Sequence, residues 1–254
     1  MIVAAALGGV PDVGPGDDLA ALLCAAASAS ASASSMRFRE GDVLVVAHKV
    51  VSKAEGRTVA LSGVTPGERA LALAAEHGRN PRVVEVILAE STEIVRSRPG
   101  VLICRTRHGF VCANAGVDAS NAPDGELILL PADPDASARA LRARLRELTG
   151  VAPAVIVADS FGRAWRVGQC DVAIGIAGLA PVDDWRGRAD TSGRTLEATV
   201  IAVADEAAAA ADLARRKDSR EPAVLVRGLE RHVGEADGPG VAALVRARDE
   251  DLFL

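Results

Sequence analysis

The sequence predicts a protein of the α/β class, with mixed α and β structure in which helices cover buried sheets. Two observations lead to this prediction. Short continuous apolar runs, such as the start of residues 41–53 and residues 154–158, are typical of strands covered on both faces. Segments between such runs carry helix signals, such as Asn80-Pro81 at a start and Gly150 at an end. The 254 residues are enough for one large domain or for two lobes.

The composition is that of an ordinary globular protein, with 49% hydrophobic and 25% charged residues. The net charge of -5, the lack of a basic cluster and the 2% aromatic content argue against a nucleic-acid partner. No apolar run approaches the roughly 18 residues of a membrane helix, and the N-terminus lacks the basic region of a signal peptide. The four cysteines form no C-x-x-C pair, so we expect reduced thiols, no zinc site and a cytoplasmic protein.

The first elements are predicted to be a strand, a loop and a helix. Residues 2–7 indicate a short buried strand, which the following glycines and prolines end. Asp17 or Asp18 then caps a helix over residues 19–27. The Gly-rich loop could hold phosphate through its amides, although the Walker pattern G-x-x-x-x-G-K-[ST] is absent from the chain. Residues 25–35 are low in complexity, which indicates a frayed helix end or a surface loop.

The rest of the chain is predicted to contain both helices and strands. We expect much of the last helix to be buried, because its acidic residues are few. The helices are expected from a capping box at residues 65–68 to Gly78, from Asn80-Pro81 onward, from near Asp135 to Gly150, and over residues 195–214. The strands are expected at residues 101–104 and 110–112, which form a hairpin, and at residues 127–130, 154–158, 172–179 and 223–226.

Residues 111–121, V-C-A-N-A-G-V-D-A-S-N, place short polar side chains directly after an apolar run. Asp118 offers a carboxylate, Ser120 a hydroxyl and Asn121 a carboxamide, while Gly116 allows the backbone to bend. These groups suit a metal ion and a phosphate. The alternative is an Asx-turn between two strands, since turns use the same residue types.

A second polar segment, Asp159-Ser160, follows the apolar residues 154–158. A carboxylate at the carboxyl end of a buried strand lies where open α/β sheets bind ligands. Nucleotide enzymes hold Mg²⁺ with such a carboxylate and hydroxyl. Because burying lone carboxylates is costly, the two polar segments together indicate a shared cation. Arg163 and Arg166 could clamp a phosphate or a carboxylate, or they could form surface salt bridges.

Two lysines follow the apolar start of residues 41–53. Lys49 and Lys53, together with Ser52, could neutralise phosphate oxygens just past a strand. Lysines that close a strand are also common as plain solvated charges. The residues alone leave both alternatives open.

Six segments, in one order along the chain, resemble the coenzyme F420:L-glutamate ligase family. None of them is specific alone, but together they cover nearly the whole chain. They are G-D-V-L-V-V-A-H-K-V-V-S-K-A-E-G-R, C-A-N-A-G-V-D-A-S-N, L-L-P-A-D-P-D-x-S-A, A-D-S-F-G-R-A-W-R-x-G, G-R-x-L-E-A-T-V-x-x-V-A-D-E and P-A-V-L-V-R-G.

The resemblance implies a GTP-dependent γ-glutamyl ligase that adds L-glutamate to the coenzyme F420 precursor through an acyl phosphate. It implies Mg²⁺ or Mn²⁺ at two sites, K⁺ as a further cofactor, and a two-lobed α/β subunit that forms homodimers. Some bacterial relatives continue into a C-terminal flavin-binding domain. We expect a single ligase domain over residues 1–254 without that addition.

The resemblance also implies roles for individual residues. The pair His48-Lys49 departs from the family pattern, in which small hydroxyl residues stand at or near these positions. The metal ligands fall on Asp118, Asp159 and Ser160. The nucleotide contacts fall on Val10, Pro11, Asp12, Val13, His48, Lys49, Lys53 and Asn121.

The loop before the last strand is the larger departure. In the family this loop supplies nucleotide contacts and a Glu or Gln ligand to the second metal. Lys217 aligns with that ligand and cannot coordinate a cation while it is protonated. We expect either that Asp218 takes over, or that the ammonium supplies part of the missing charge. The residues of the loop are Arg215, Arg216, Lys217, Asp218, Ser219, Arg220 and Glu221.

Three functions follow as hypotheses. The first is the ligase. The second is a nucleotide-binding regulatory or partner subunit that kept the fold and lost turnover, which the altered loop suggests. The third is a metal phosphohydrolase that uses Asp118 and Asp159, and it would leave the resemblance over nearly the whole chain unexplained.

Overall fold

The computed structural model describes residues 1–29 and 36–251, and it confirms the mixed α/β class. Residues 30–35, which belong to the predicted frayed segment, lie outside the described residues. The strands are β1 (Val3–Leu7), β2 (Val43–Ala47), β3 (Thr58–Ala60), β4 (Ser91–Arg98), β5 (Val101–Thr106), β6 (Val111–Ala113), β7 (Glu126–Ile128), β8 (Ala154–Arg163), β9 (Arg166–Ala177), β10 (Asp183–Asp184), β11 (Val200–Ile201) and β12 (Ala223–Arg227). The α-helices are α1 (Leu19–Ala29), α2 (His48–Ala54), α3 (Glu68–His77), α4 (Pro81–Ala89), α5 (Pro134–Thr149) and α6 (Val203–Ala214). Short 3₁₀ helices lie at Leu61–Gly63, Asn114–Gly116, Glu230–His232, Val241–Ala243 and Arg248–Glu250.

The principal sheet has the strand order β1-β12-β2-β8-β9. β2 and β8 are parallel, and the other neighbouring strands are antiparallel. Nearly all residues of β2 and β12 are buried, as their continuous apolar runs predicted. Helix α5 packs on β8, β9 and α1, whereas α6 packs on β9, β12 and β1. These contacts build the main hydrophobic core around this sheet.

A second hydrophobic cluster is separate from the main core. It is built from α3, α4, the sheet β4-β5-β6 and the pair β3-β7, and Ile87 and Leu102 are fully buried in it. Gly78 ends α3 in the left-handed conformation and the Asn80 side chain caps α4, as predicted. Because β6 leads into residues 114–121, this second cluster positions the first polar segment.

β9 is an edge strand of the principal sheet, and two carboxylates cover its outer N–H groups. The Ala173 N–H donates to Asp205 Oδ1 at 2.9 Å, and the Ile176 N–H donates to Asp135 Oδ1 at 2.7 Å. Asp135 also accepts a hydrogen bond from the Val241 N–H at 3.0 Å. The same carboxylate therefore ties the segment after β12 to the edge of the sheet.

Helices α2 and α6 differ from the predictions. β2 ends at Ala47, and the unpredicted helix α2 follows it without a loop. Helix α6 begins at Val203, whereas a helix was predicted over residues 195–214. The β-branched pair Val200–Ile201 favours an extended backbone and forms β11, which pairs with β10.

The ends of β8 and α5 also differ from the predictions. β8 continues through Asp159 and Ser160 to Arg163, because β9 pairs with it beyond the end of β2. Helix α5 is capped by Asp133, the residue before Pro134, whose side chain accepts a hydrogen bond from the Ala136 N–H. The sequence predicted a cap near Asp135.

Two local signals were also misjudged. The capping box at residues 65–68 does not form, because α3 begins at Glu68 and its N-cap residue is Gly67, which has no side chain to accept a hydrogen bond. Strand β4 was not predicted, because its segment S-T-E-I-V-R-S-R contains no continuous apolar run.

All four cysteines have free thiols, and Cys104 and Cys112 are buried. In the described part of the chain, no helix has both the length and the apolar content needed to cross a membrane.

Gly175 of β9 offers a stability test of the packing between α5 and the sheet. An added Cβ would overlap the Pro134 carbonyl group at the start of α5. We expect Gly175→Ala to lower the free energy of unfolding, measured by urea denaturation, by about 1–3 kcal/mol, the usual cost of overpacking. The control is Gly162→Ala on the same hairpin, where a Cβ meets no atom within 4 Å. Equal losses in both variants would contradict this packing.

Candidate functional site

The parallel strands β2 and β8 end their pairing where Ala47 lies opposite Ala158. β2 then turns directly into α2, whose first residue is His48, while β8 continues into Asp159. The His48 Nε2 atom lies 3.3 Å from Asp159 Oδ1, and the two side chains are 2% and 16% exposed. They form an ion pair when the imidazole is protonated. The register thus places a nearly buried pair at the carboxyl end of two parallel strands, the usual ligand-binding edge of such a sheet.

The next residue of α2, Lys49, reaches the other candidate carboxylate. Its Nζ atom lies 2.6 Å from Asp118 Oδ2 and also donates to Ser120 Oγ. Asp118 accepts a hydrogen bond from the Ser120 N–H at 2.7 Å, which is the Asx-turn that the sequence offered as an alternative. The turn and the lysine contact therefore exist together at one carboxylate.

Asp118 is held in its ionised form. Desolvation by burial acts to raise the pKa of this carboxyl group, but the hydrogen bonds from Lys49 and from the Ser120 N–H outweigh it and leave the pKa below its usual value. The backbone of Asp118 exchanges hydrogen bonds of 3.0 and 2.8 Å with Ile128 of β7. The carboxylate is therefore anionic at neutral pH and anchored to the second cluster.

Each of the two carboxylates contacts the start of α2, Asp159 through His48 and Asp118 through Lys49. Cys112 of β6 lies close enough to respond to one of them: burial first, and then the charge of Asp159, raises the pKa of its thiol to about 12. A thiol with such a pKa is neutral at physiological pH and is a poor nucleophile or metal ligand. Carboxylate oxygens are therefore the hard ligands that this site offers.

Asp118 and Asp159 are the carboxylates that contact the start of α2, and the Lys49 ammonium already stands beside Asp118 at 2.6 Å. Within residues 1–29 and 36–251, no group of three or more His, Cys, Asp or Glu side chains is arranged to hold a metal ion. Mg²⁺ is usually bound through one or two carboxylates, while waters and substrate phosphates complete its shell. A cation at Asp118 and Asp159 would therefore need a substrate to complete its shell, and it would have to displace the Lys49 ammonium from Asp118.

Ser160 faces a different group of charges, because successive side chains of a strand point to opposite faces. Its Oγ atom donates to Asp171 Oδ1 at 2.6 Å and accepts from the Lys217 Nζ atom at 2.9 Å. Arg215 binds the other oxygen of Asp171, whose side chain is 1% exposed. The sequence reasoning missed Asp171, whose place opposite Ser160 follows from the β8–β9 register and from no local motif.

The charges of this network do not fit a second divalent cation. The Lys217 Nζ atom lies 2.7 Å from Asp212 Oδ1 and 3.6 Å from Asp171 Oδ1, so a positive charge already stands beside both carboxylates. Asp218 instead pairs with Arg216 at 3.2 Å and is exposed. Of the two alternatives raised by the sequence, the geometry favours the ammonium.

Other candidates for nucleotide contacts lie next to α2. Lys53 is half-buried in its last turn, and its side chain makes no hydrogen bond or ion pair with the described residues. Residues 10–13 join β1 to α1, and the same loop is bonded to the end of α2 through the Gly16 N–H, which donates to Ala54 O at 2.8 Å. Asn121 directly follows the serine that Lys49 contacts, and it is exposed with φ of 61°.

The structure does not bring the arginines of the β8–β9 turn to this site. Arg163 and Arg166 are exposed at the tip of the hairpin, where Arg163 Nη2 donates to the Val167 carbonyl at 2.8 Å. Trp165 and Val167 are also exposed there, at 85% and 97%. The tip is therefore an exposed arm and not part of the carboxylate site.

Residues of the loop before β12 contact two different parts of the protein. Arg215 and Lys217 reach the Asp171 network, whereas Arg216 bonds within the loop. Glu221 Oε1 lies 3.8 Å from where a Cβ of Gly8 would stand. The end of this loop is therefore a neighbour of the loop after β1.

The fold and the site define a class of protein. It is a mixed α/β protein with carboxylates and lysines near the carboxyl end of a parallel strand pair. Within that class, the chain belongs to the F420-0:Gamma-glutamyl ligase family, whose model matches residues 9–228. The matched range includes all the candidate positions from residue 10 to residue 221.

Three relatives with the same name align with this chain over most of their length. The chain is 48% identical to the coenzyme F420:L-glutamate ligase of Methanopyrus kandleri over 243 residues, which are 95% of this chain and 93% of that protein. It is 45% identical to the protein of the same name from Methanothermobacter thermautotrophicus, with 96% of each chain covered. It is 44% identical to that of Archaeoglobus fulgidus, with 96% of this chain and 93% of the other covered. The family predicted from the six segments is confirmed.

Proposed function

We propose that this protein is a GTP-dependent ligase that joins L-glutamate to the coenzyme F420 precursor in a γ-glutamyl ligase reaction. Membership of the family and the names of the relatives support this pair of substrates. The observation that carries the proposal is that the neighbouring residues His48 and Lys49 contact Asp159 and Asp118, respectively. Carboxylates for a cation, placed beside lysines for phosphate oxygens, are the groups that phosphoryl transfer from a nucleotide uses.

The proposed reaction has two steps. In the first, a carboxylate oxygen of the precursor attacks the γ-phosphorus of GTP, the bond to the β,γ-bridging oxygen breaks, and GDP leaves. In the second, the glutamate amine attacks the acyl carbon, the bond from that carbon to the phosphate oxygen breaks, and phosphate leaves while the nitrogen loses a proton. The first step concentrates negative charge, so the protein acts mainly through electrostatic stabilisation.

Each charged residue of the site has a part in this proposal. Asp118 and Asp159 would hold one Mg²⁺ or Mn²⁺, which supplies positive charge to phosphate oxygens when bound. Lys49 keeps the Asp118 carboxylate ionised. The Lys53 side chain has no partner among the described residues and offers its ammonium to a phosphate oxygen. His48 lies beside Asp159 in a buried position, with its Nε2 atom 3.3 Å from Oδ1.

Further parts of the proposal rest on the family resemblance. They are nucleotide contacts at residues 10–13, at Asn121 and in the loop before β12, a K⁺ ion without assigned ligands, and a homodimer. The exposed Trp165 and Val167 support an association surface, because exposed apolar groups often mark interaction sites. Light scattering of the full chain measures the oligomeric state, and a monomer at every concentration would reject the dimer.

A second candidate function is a nucleotide-binding regulatory or partner subunit without turnover. The observation that favours it is the Lys217 ammonium, which occupies the network where the resemblance implies a second metal. No step of the proposed ligase mechanism depends on a second cation, so this observation does not oppose the ligase.

Glutamate-dependent release of GDP and phosphate is the decisive assay. We expect turnover when GTP, the precursor, L-glutamate and Mg²⁺ are all present, and none when L-glutamate is omitted. Phosphate release without L-glutamate would indicate a phosphohydrolase instead. Tight GTP binding by calorimetry, with no product under any metal, would indicate the regulatory subunit.

A further inference from the structure

A cavity of 250 Å³ lies between the β5–β6 hairpin, the β8–β9 hairpin, the start of α6 and the segment after β12. Its charged lining consists of Arg105, Arg246, Asp205 and Asp251. Most ligand pockets enclose roughly 300–1,000 Å³, so this cavity suits a molecule of amino-acid size and not a nucleotide. Apolar walls come from Phe110, Phe161, Val172 and Val245.

The cavity lies on the same face of the β8–β9 hairpin as Asp159. Side chains alternate along a strand, so Phe161 shares a face with Asp159. Val172 stands directly opposite Asp159 in the register of the two strands. Because both Phe161 and Val172 line the cavity, a ligand inside it borders the proposed position of phosphoryl transfer.

Arg105 has hydrogen-bond donors that the protein leaves unused. Its side chain is 15% exposed, and its contacts with Glu93 Oε2 and the Gly109 carbonyl are both long, at 3.5 Å. The Nε and Nη2 atoms are buried without a hydrogen-bond partner among the described residues. Unused donors on a buried charge are costly, and a carboxylate accepts two parallel bonds from one guanidinium. A small turn of this group toward an anion in the cavity would satisfy them.

Arg246 and Asp205 are two further charged groups of the cavity, and Asp251, which has an interaction of its own, is the fourth. Arg246 is exposed and makes no hydrogen bond or ion pair with the described residues. Asp205 accepts from the Ala173 N–H through Oδ1 and has no cationic partner in the described part of the chain. Burial raises the pKa of Asp205, and an ammonium placed beside it would offset that desolvation.

We propose that this cavity binds the amino-acid substrate, with its two carboxylates at Arg105 and Arg246 and its ammonium at Asp205. The inference rests on the proposed ligase function and adds to it the place and the orientation of L-glutamate. Of the four charged groups in the lining, the two guanidinium groups and Asp205 are complementary to an amino acid with two carboxylates and one ammonium, and Asp251 adds a second carboxylate. The same arrangement disfavours L-glutamine, which lacks the second carboxylate.

Equilibrium dialysis with labelled L-glutamate, in the presence of GTP and Mg²⁺, tests this site. We expect Arg246→Ala and Arg105→Met each to weaken binding at least about tenfold, as the loss of a hydrogen bond to a charged group does. In steady-state assays the KM for L-glutamate should rise, while the KM for GTP stays within about twofold. The matched control is Arg107→Ala, because Arg107 lies on the same hairpin outside the cavity and donates to the Ala89 carbonyl at 2.6 Å.

Unchanged affinity for L-glutamate in the Arg246→Ala variant, whose side chain is exposed, would overturn the inference. An equal loss in Arg107→Ala, or a wild-type protein that binds no labelled L-glutamate, would also overturn it. The proposed function fails separately, by the absence of glutamate-dependent turnover. In that event the dialysis still decides whether the cavity binds the amino acid.

Discussion

Asp159→Asn is expected to lower kcat/KM for the glutamate-dependent reaction by roughly 10²–10³-fold and to weaken Mn²⁺ binding steeply. The change keeps the shape of the side chain beside His48 but removes one formal charge from the cation site. Asp118→Asn should act in the same way, since its Oδ1 atom can still accept from the Ser120 N–H. Ser160→Ala should cost less, because the Ser160 hydroxyl is engaged with Asp171 and Lys217 on the other face of the strand.

Mn²⁺ titration followed by electron paramagnetic resonance, combined with turnover rates, measures these effects. Asp124→Asn is the matched control, because Asp124 is an exposed carboxylate a few residues beyond Asp118 and has no hydrogen bond or ion pair with the described residues. Full Mn²⁺ affinity in both Asp118→Asn and Asp159→Asn would show that the cation binds elsewhere.

Lys217→Gln is expected to raise the affinity for a second Mn²⁺ by about tenfold or more, whereas Asp218→Ala should leave the number of bound ions unchanged. The Lys217 Nζ atom stands 2.9 Å from Ser160 Oγ and 2.7 Å from Asp212 Oδ1, where it repels a cation. Asp218 is turned toward Arg216 and takes no part in that network.

Anomalous scattering from crystals soaked in Mn²⁺ counts the bound ions. Lys217→Arg is the control, because it keeps the positive charge. Two fully occupied Mn²⁺ sites in the Asp218→Ala variant would contradict both the role of Lys217 and the alignment of this loop with the family. A Lys217→Gln variant that gains no ion would show that the ammonium is not what excludes one.

The elements that the sequence predicted well are those with local signals. β2 and β12 are continuous apolar runs, while Gly78 and Asn80 mark the end of one helix and the start of the next. Helix α2 escaped prediction because H-K-V-V-S-K-A prolongs the apolar run of β2 and has no side-chain cap. Its existence depends on packing of the folded chain, which no local pattern records.

The residues of the candidate site also fall into those with a local sequence signal and those without one. Asp118 and Asp159 were identified because each stands in a short polar segment next to an apolar one. Their partners His48 and Lys49 come from a helix that was not predicted. Asp171 could not be identified from the sequence, because only the register of β8 and β9 places it opposite Ser160. Groups that meet through register or across hydrophobic clusters therefore require the structure.

The two carboxylates that cover the outer edge of β9 restrict how this sheet can meet another protein. Asp205 and Asp135 occupy the N–H groups of Ala173 and Ile176, which an added strand would need as hydrogen-bond donors. Charged groups along an edge also discourage edge-to-edge aggregation. A partner, including a second copy of this chain, must therefore contact this side of the protein through side chains and cannot extend the sheet across these positions.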